Sequence, residues 1–164
     1  MTQRRKNNRD ILNIIRYAIL AVLVLYIGIL LAYKSGSSAS FKEVSQAVRE
    51  AADISGMTKG SERELKRYYK LNAKDFEDVM LYYTNQTMGV EELLLVKAKS
   101  EADVRMVEDA VKERLDIQID NFEGYGAGQV KLLKRAGWKI RGNYVLFVVS
   151  PNAQKFEKAF TKSL

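Results

Sequence analysis

Residues 142–151 read Gly-Asn-Tyr-Val-Leu-Phe-Val-Val-Ser-Pro, and the fold turns on the six apolar residues 144–149 inside that stretch. The run is short, rich in β-branched and aromatic side chains, and stopped by Pro151, which predicts a strand buried in a core. Gly142-Asn143 is a two-residue turn signal, so residues 138–141 are expected to pair with it as a hairpin. Upstream, Gly124, Gly126 and Gly128 break the chain, and residues 129–135 predict a short helix ended by Gly137. Before the glycines, Val104, Val107, Val111 and Leu115 recur at three-to-four spacing. That is the stripe of a long amphipathic helix starting at Ser100 or Asp103 and extended by Phe122. Glu108, Asp109, Lys112, Glu113 and Arg114 are assigned to its wet face.

A second hairpin is expected from FEDVMLYYT (76–84) and EELLLVKAK (91–99) around the turn-like NQTMG. The continuous apolar run 93–96 leaves a helix open there as the alternative. Residues 41–52 predict a helix capped by Ser40, residues 53–60 a loop, and Ser61-Glu62-Arg63-Glu64 the capping box of a helix reaching about residue 71. Residues 153–164 close the chain as a helix with Phe156, Ala159 and Phe160 inward. The expected fold class is α+β: one antiparallel sheet of about four strands, in two hairpins, with helices packed on a face.

Residues 17–33 form a run of 17 without a charge, YAILAVLVLYIGILLAY, with tyrosine at each end. With the Arg16 head group directed outward, the apolar stretch reaches back to Ile11 and meets the roughly 20 residues a membrane span needs. Residues 1–34 carry six basic and one acidic side chain, and only Lys34 follows the run closely. The positive-inside rule then puts the N-terminus in the cytoplasm. The expected organisation is a cytoplasmic basic tail (1–16), a transmembrane helix (17–33), a short flexible Gly/Ser linker (34–40) and an extracytoplasmic domain (41–164). The rival is a cleaved signal peptide, for which the small residues 35–40 offer a cutting site. The span contains no GxxxG pair, so nothing in it specifies a dimer.

The chain lacks cysteine and histidine. Disulfides, thiolate chemistry, a lipid-bearing cysteine and the commonest general base are thereby excluded. No Ser-Lys hydrolase motif stands in context, and no cofactor or metal site is expected; the chain is read as a non-enzyme. The net charge of +7 is concentrated in the tail, because residues 35–164 hold 21 basic and 19 acidic residues. It therefore speaks to membrane topology and gives no ground for nucleic acid as a partner.

Four features invite a functional reading. Gly124-Tyr125-Gly126-Ala127-Gly128 superficially resembles a phosphate loop, but it follows a helix where a strand is needed, which reads as a connector. The carboxylate pairs Asp75/Asp78, Glu91/Glu92 and Asp116/Asp120 read as solvated faces. The basic cluster Lys131, Lys134, Arg135, Lys139 and Arg141 around Trp138 is the candidate polyanion contact, with Arg63, Lys66, Arg67 and Lys70 as a second patch. Asn85-Gln86-Thr87 is a sequon that matters only in a eukaryotic secretory pathway.

The stretch FEGYGAGQVKLL (122–133), then GNYVLFVVSPN (142–152) and a final Phe-containing helix, resembles an uncharacterised family of small envelope proteins of Gram-positive bacteria. The resemblance covers residues 76–164. Members carry an N-terminal anchor or lipid attachment, and tend to have a proline shortly after the position of Tyr125, where this chain has Gly126, Ala127 and Gly128. It implies cell-envelope localisation and no specific activity. The expected function is a single-pass, membrane-anchored interaction module for an envelope protein, an anionic wall polymer or a lipid surface. The alternative is a ligand-binding or regulatory domain with a pocket between sheet and helices; a histidine-independent enzyme ranks below both.

Overall fold

The structure, a computed structural model, describes residues 15–28 and 39–164. The chain divides into two compact units, residues 1–35 and 36–164. Residues 15–28 of the first form a helix, α1. Among the described residues no helix is long and apolar enough to cross a membrane. Residues 29–33 of the expected span, most of the expected linker and residues 1–14 of the basic tail lie outside the described residues.

The second unit is α+β. Its strands are β1 (Thr58–Lys59), β2 (Asp78–Tyr83), β3 (Glu92–Lys97), β4 (Gly137–Arg141) and β5 (Tyr144–Val149). Its helices are α2 (Phe41–Arg49), α3 (Glu62–Tyr69), α4 (Glu101–Phe122), α5 (Ala127–Leu133) and α6 (Ala153–Lys162), with a 3-10 turn at Ala73–Asp75. The sheet is antiparallel throughout, in the order β1-β2-β3-β5-β4. Both expected hairpins form, and they join through β3 and β5, with Leu94 opposite Phe147 and Val96 opposite Val145.

The sheet has five strands where about four were expected. The added β1 falls in the predicted loop; its two residues are both exposed, so no apolar alternation marks it. The helices cover both faces of the sheet, not one. On one face Leu94, Val96, Val145 and Phe147 meet Leu65 and Tyr69 of α3, Val107 and Val111 of α4, and Leu133 of α5. On the other, Leu93, Leu95, Leu146 and Val148 meet Val44 and Val48 of α2 and Phe156 and Phe160 of α6. Two-sided cover explains why the central strands β3 and β5 are continuous apolar runs, and it settles residues 93–96 as strand.

α2 and α3 start at Ser40 and Ser61, each closing a capping box with the glutamate three residues on, Glu43 and Glu64. Those hydrogen bonds pull both glutamate carboxyls below their ordinary range. Ser61→Ala is expected to cost about 1 kcal/mol, read from the urea midpoint; a loss near zero would mean that the box contributes nothing to α3. At the domain's entry the Tyr144 hydroxyl donates to the Ala39 carbonyl at 2.8 Å, and Phe41 stacks on the same ring. α4 has 22 residues, about 33 Å at 1.5 Å per residue, against about 20 Å for a six-residue strand. Its C-terminal end thus overhangs the sheet.

Candidate functional site

α5 folds back on the overhanging end of α4 and creates the groove in which the expected basic residues gather. The turn needs its glycines: Gly124 has φ 89°, and a Cβ on Gly126 would meet the Phe122 ring at 2.7 Å. The resulting open groove, about 550 Å³, has Phe122, Tyr125, Ala127 and Val130 as its apolar lining. Lys131, Lys134 and Arg135 line it too, with Glu123 as the acid among them. Tyr125 is 67 % exposed, and its ring lies 5.7 Å from that of Phe122. The glycine segment is therefore the helix connector expected, and it also forms one wall of a groove. Such a site can hold an anion by charge while an apolar or ring portion lies on the floor.

Two of the five expected cations stand elsewhere. Lys139 and Arg141 project from β4 toward α6: the Lys139 Nζ is 3.8 Å from a Glu157 carboxylate oxygen, and Arg141 donates to the Thr161 carbonyl at 3.1 Å. Trp138, one residue before Lys139 in β4, turns to the opposite face and packs on the core beside α4, with the Lys112 Nζ 5.5 Å from its ring centre. A helix gathers neighbours three and four apart, whereas a strand sends alternate residues to opposite faces. The second patch, on α3, is exposed and interspersed with Glu62 and Glu64.

The residues that sequence reasoning placed wrongly are Glu92 and Arg114. Glu92, expected on a solvated face, is 2 % exposed. Arg114, assigned to the wet face of α4, grips it through two nitrogens at 3.0–3.2 Å. The Arg114 guanidinium also lies 4.5 Å from the Tyr68 ring centre. The Tyr69 hydroxyl is buried beside the pair, and burial pushes its phenol well above the ordinary range. Burial raises the Glu92 carboxyl, and Arg114 opposes that rise. A signal was present: Val90, Glu92, Leu94 and Val96 alternate onto one face, and Arg114 stands three residues after Val111.

The other carboxylate pairs do not converge. Asp75, Asp78, Asp116 and Asp120 are exposed, and Glu91 is half-buried where Glu92 is buried. Among the described residues no group of acidic side chains is placed to hold a metal ion.

Residues 50–150 match a family model described as "Domain of unknown function (DUF4358)". The match takes in β1 to β5, α3, α4, α5 and the whole groove. No curated protein matches the chain, and no solved structure does.

Proposed function

We propose, for a chain that belongs to the DUF4358 family of domains of unknown function, a non-catalytic binding module held at the membrane of a Gram-positive cell envelope and taking an anionic ligand in the α4–α5 groove. The observation that carries this reading is the groove itself, where Lys131, Lys134 and Arg135 meet an apolar floor with one acid, Glu123, among them. Anchoring is supported by the uncharged run 17–33 behind its basic tail; N-terminus inside and domain outside follow from the charge bias. The ligand chemistry that fits is a phosphate or carboxylate carried on an apolar or ring portion.

The ligand this reading commits to is a polymer strand rather than a lipid head group. The N-terminal segment joins at Ala39, held by Tyr144. Tyr144 pairs with Lys97, three residues before the α4 cap Ser100. The groove lies at the other end of α4, about 30 Å along the helix.

The test uses the full chain in neutral-lipid nanodiscs, titrated with short poly(glycerol phosphate) and, separately, with phosphatidylglycerol vesicles. Each basic residue near an anionic surface contributes on the order of 1 kcal/mol. Lys134→Glu with Arg135→Glu is therefore expected to weaken polymer binding about tenfold or more, while Lys139→Glu with Arg141→Glu changes it less than about threefold. Stronger binding to vesicles than to polymer would move the ligand to the lipid. Equal losses from both double variants, or none from the first, would overturn the groove as the site.

A further inference from the structure

The open edge of the sheet at β4 is a second surface, separate from the groove. The order β1-β2-β3-β5-β4 leaves β4 with one neighbour. Gly142, at φ 57°, and Asn143 make the two-residue turn to β5. The register then fixes which main-chain groups face outward. Ala98 N–H donates to the Asn143 carbonyl, so the odd-numbered residues of β5 bond toward β3 and Tyr144, Leu146 and Val148 bond toward β4. Their partners Arg141, Lys139 and Gly137 are thereby satisfied. Trp138 and Ile140 alternate with them and aim N–H and C=O at the open edge. Among the described residues no other main-chain group bonds these two.

Proteins usually blunt such an edge with a very short strand, charged side chains, a proline, a bulge or cover; Lys139 and Arg141 supply charges here, which disfavour a like-charged strand and leave an acidic one acceptable. β4 has no proline and keeps unbroken register over its five residues. Its side chains sort by face: Trp138 and Ile140 toward the α4 side, Lys139 and Arg141 toward the α6 side. Ile140 is 40 % exposed. On the α6 side Glu157, the only acidic residue in the last 36 of the chain, stands 3.8 Å from Lys139, while Arg141 rests on the Thr161 carbonyl with no carboxylate beside it among the described residues.

We propose that β4 is a strand-addition site for an extended peptide segment of a partner protein in which acidic and apolar residues alternate. Main-chain bonds to Trp138 and Ile140 would supply the pairing. Acidic side chains would then lie beside Lys139 and Arg141, and apolar ones beside Trp138 and Ile140. A second copy of the chain fits poorly. Antiparallel β4–β4 pairing through the outward groups sets Lys139 against itself in the one register that uses the whole strand, and like charges directly opposite are unfavourable.

Trp138 is the sole tryptophan and reports on the site directly. The full chain, in neutral-lipid nanodiscs, is titrated with an eight-residue peptide alternating Glu and Val. Expected are a shift in Trp138 emission and at least tenfold slower hydrogen exchange at the Trp138 and Ile140 amides. The same peptide N-methylated on alternate amides, in either phase, keeps its charges but loses one set of bonds; one of the two phases should bind at least tenfold more weakly. A Lys/Val peptide should not bind. Ile140→Pro removes one outward donor at a position where an edge strand tolerates proline, and it should abolish the exchange protection. Equal binding by the parent and both N-methylated peptides, absence of binding by the Glu/Val peptide, or a dimer of the free chain that Ile140→Pro dissociates would each overturn the proposal.

Discussion

Arg114→Ala is expected to destabilise the domain by about 3–5 kcal/mol at pH 7, because it leaves the Glu92 carboxylate buried and unpaired. Glu92 is 2 % exposed and has no other charged partner to turn to: Tyr69 beside it offers a hydroxyl, not a cation. The loss should depend on pH in a definite direction. Burial raises the Glu92 carboxyl already in the parent, and removing Arg114 takes away the opposing influence. With a raised value, the folded state keeps a proton that the unfolded chain releases. The folded state therefore gains relative to the unfolded one as pH falls, with full benefit below the ordinary glutamate value of about 4.3. The deficit of Arg114→Ala should shrink between pH 7 and pH 5. Glu43 and Glu64, whose carboxyls are lowered, titrate in the opposite sense, but they are common to both proteins and cancel in the difference. Urea unfolding at both pH values measures this. A deficit under about 1.5 kcal/mol, or the same deficit at both, would mean that Glu92 is wetter or better partnered than its position implies. Glu92→Met with Arg114→Met should recover most of the loss, since replacing a buried pair by apolar residues of similar volume is often neutral or better.

That pair also shows where sequence reading runs out. Helix and strand order were legible because most elements have a period or a stop of their own. Val104, Val107 and Val111 mark one face of α4, and the run 144–149, stopped by Pro151, marks a strand; the run 93–96 has no period of its own and left a helix open, which the two-sided cover of β3 closes. The capping serines at 40 and 61 were legible because the motif is local. Which strands meet is not local. That β3 lies beside β5, with α4, α5 and β4 intervening in the chain, follows from burying both hairpins under one set of helices. β1 left no trace because two exposed residues bury nothing. The basic cluster looked like one site because its members are close in the chain. The change from helical to strand geometry at Gly137 divides it, leaving Lys131, Lys134 and Arg135 in the groove and Lys139 and Arg141 against α6. Glu92 was misplaced because charge was given more weight than phase: alternation from Val90 through Val96 aims it at the core, where Arg114 waits one helical turn beyond Val111.

Phe147→Ala is expected to cost about 3–5 kcal/mol, the range for deleting a large ring from a packed core. Phe147 is 1 % exposed at the centre of β5, opposite Leu94 on one side and Trp138 on the other. Its ring meets Tyr69 edge-on at 6.4 Å, so it joins the sheet to α3 as well as filling the layer beneath α4. Collapse cannot readily fill the space, because the neighbouring strands are held by their own ladders and Leu146 and Val148 point to the other face. For a domain of this size, whose total stability is about 5–15 kcal/mol, the loss is a large fraction of what holds it folded. Phe147→Leu keeps much of the volume and should cost clearly less, about 1–1.5 kcal/mol. Both are read from denaturant midpoints at unchanged slope. If alanine and leucine cost the same, the ring contact with Tyr69, rather than the filled volume, is what Phe147 contributes. If neither costs more than about 1 kcal/mol, the two-sided core drawn through β3 and β5 is wrong at its centre.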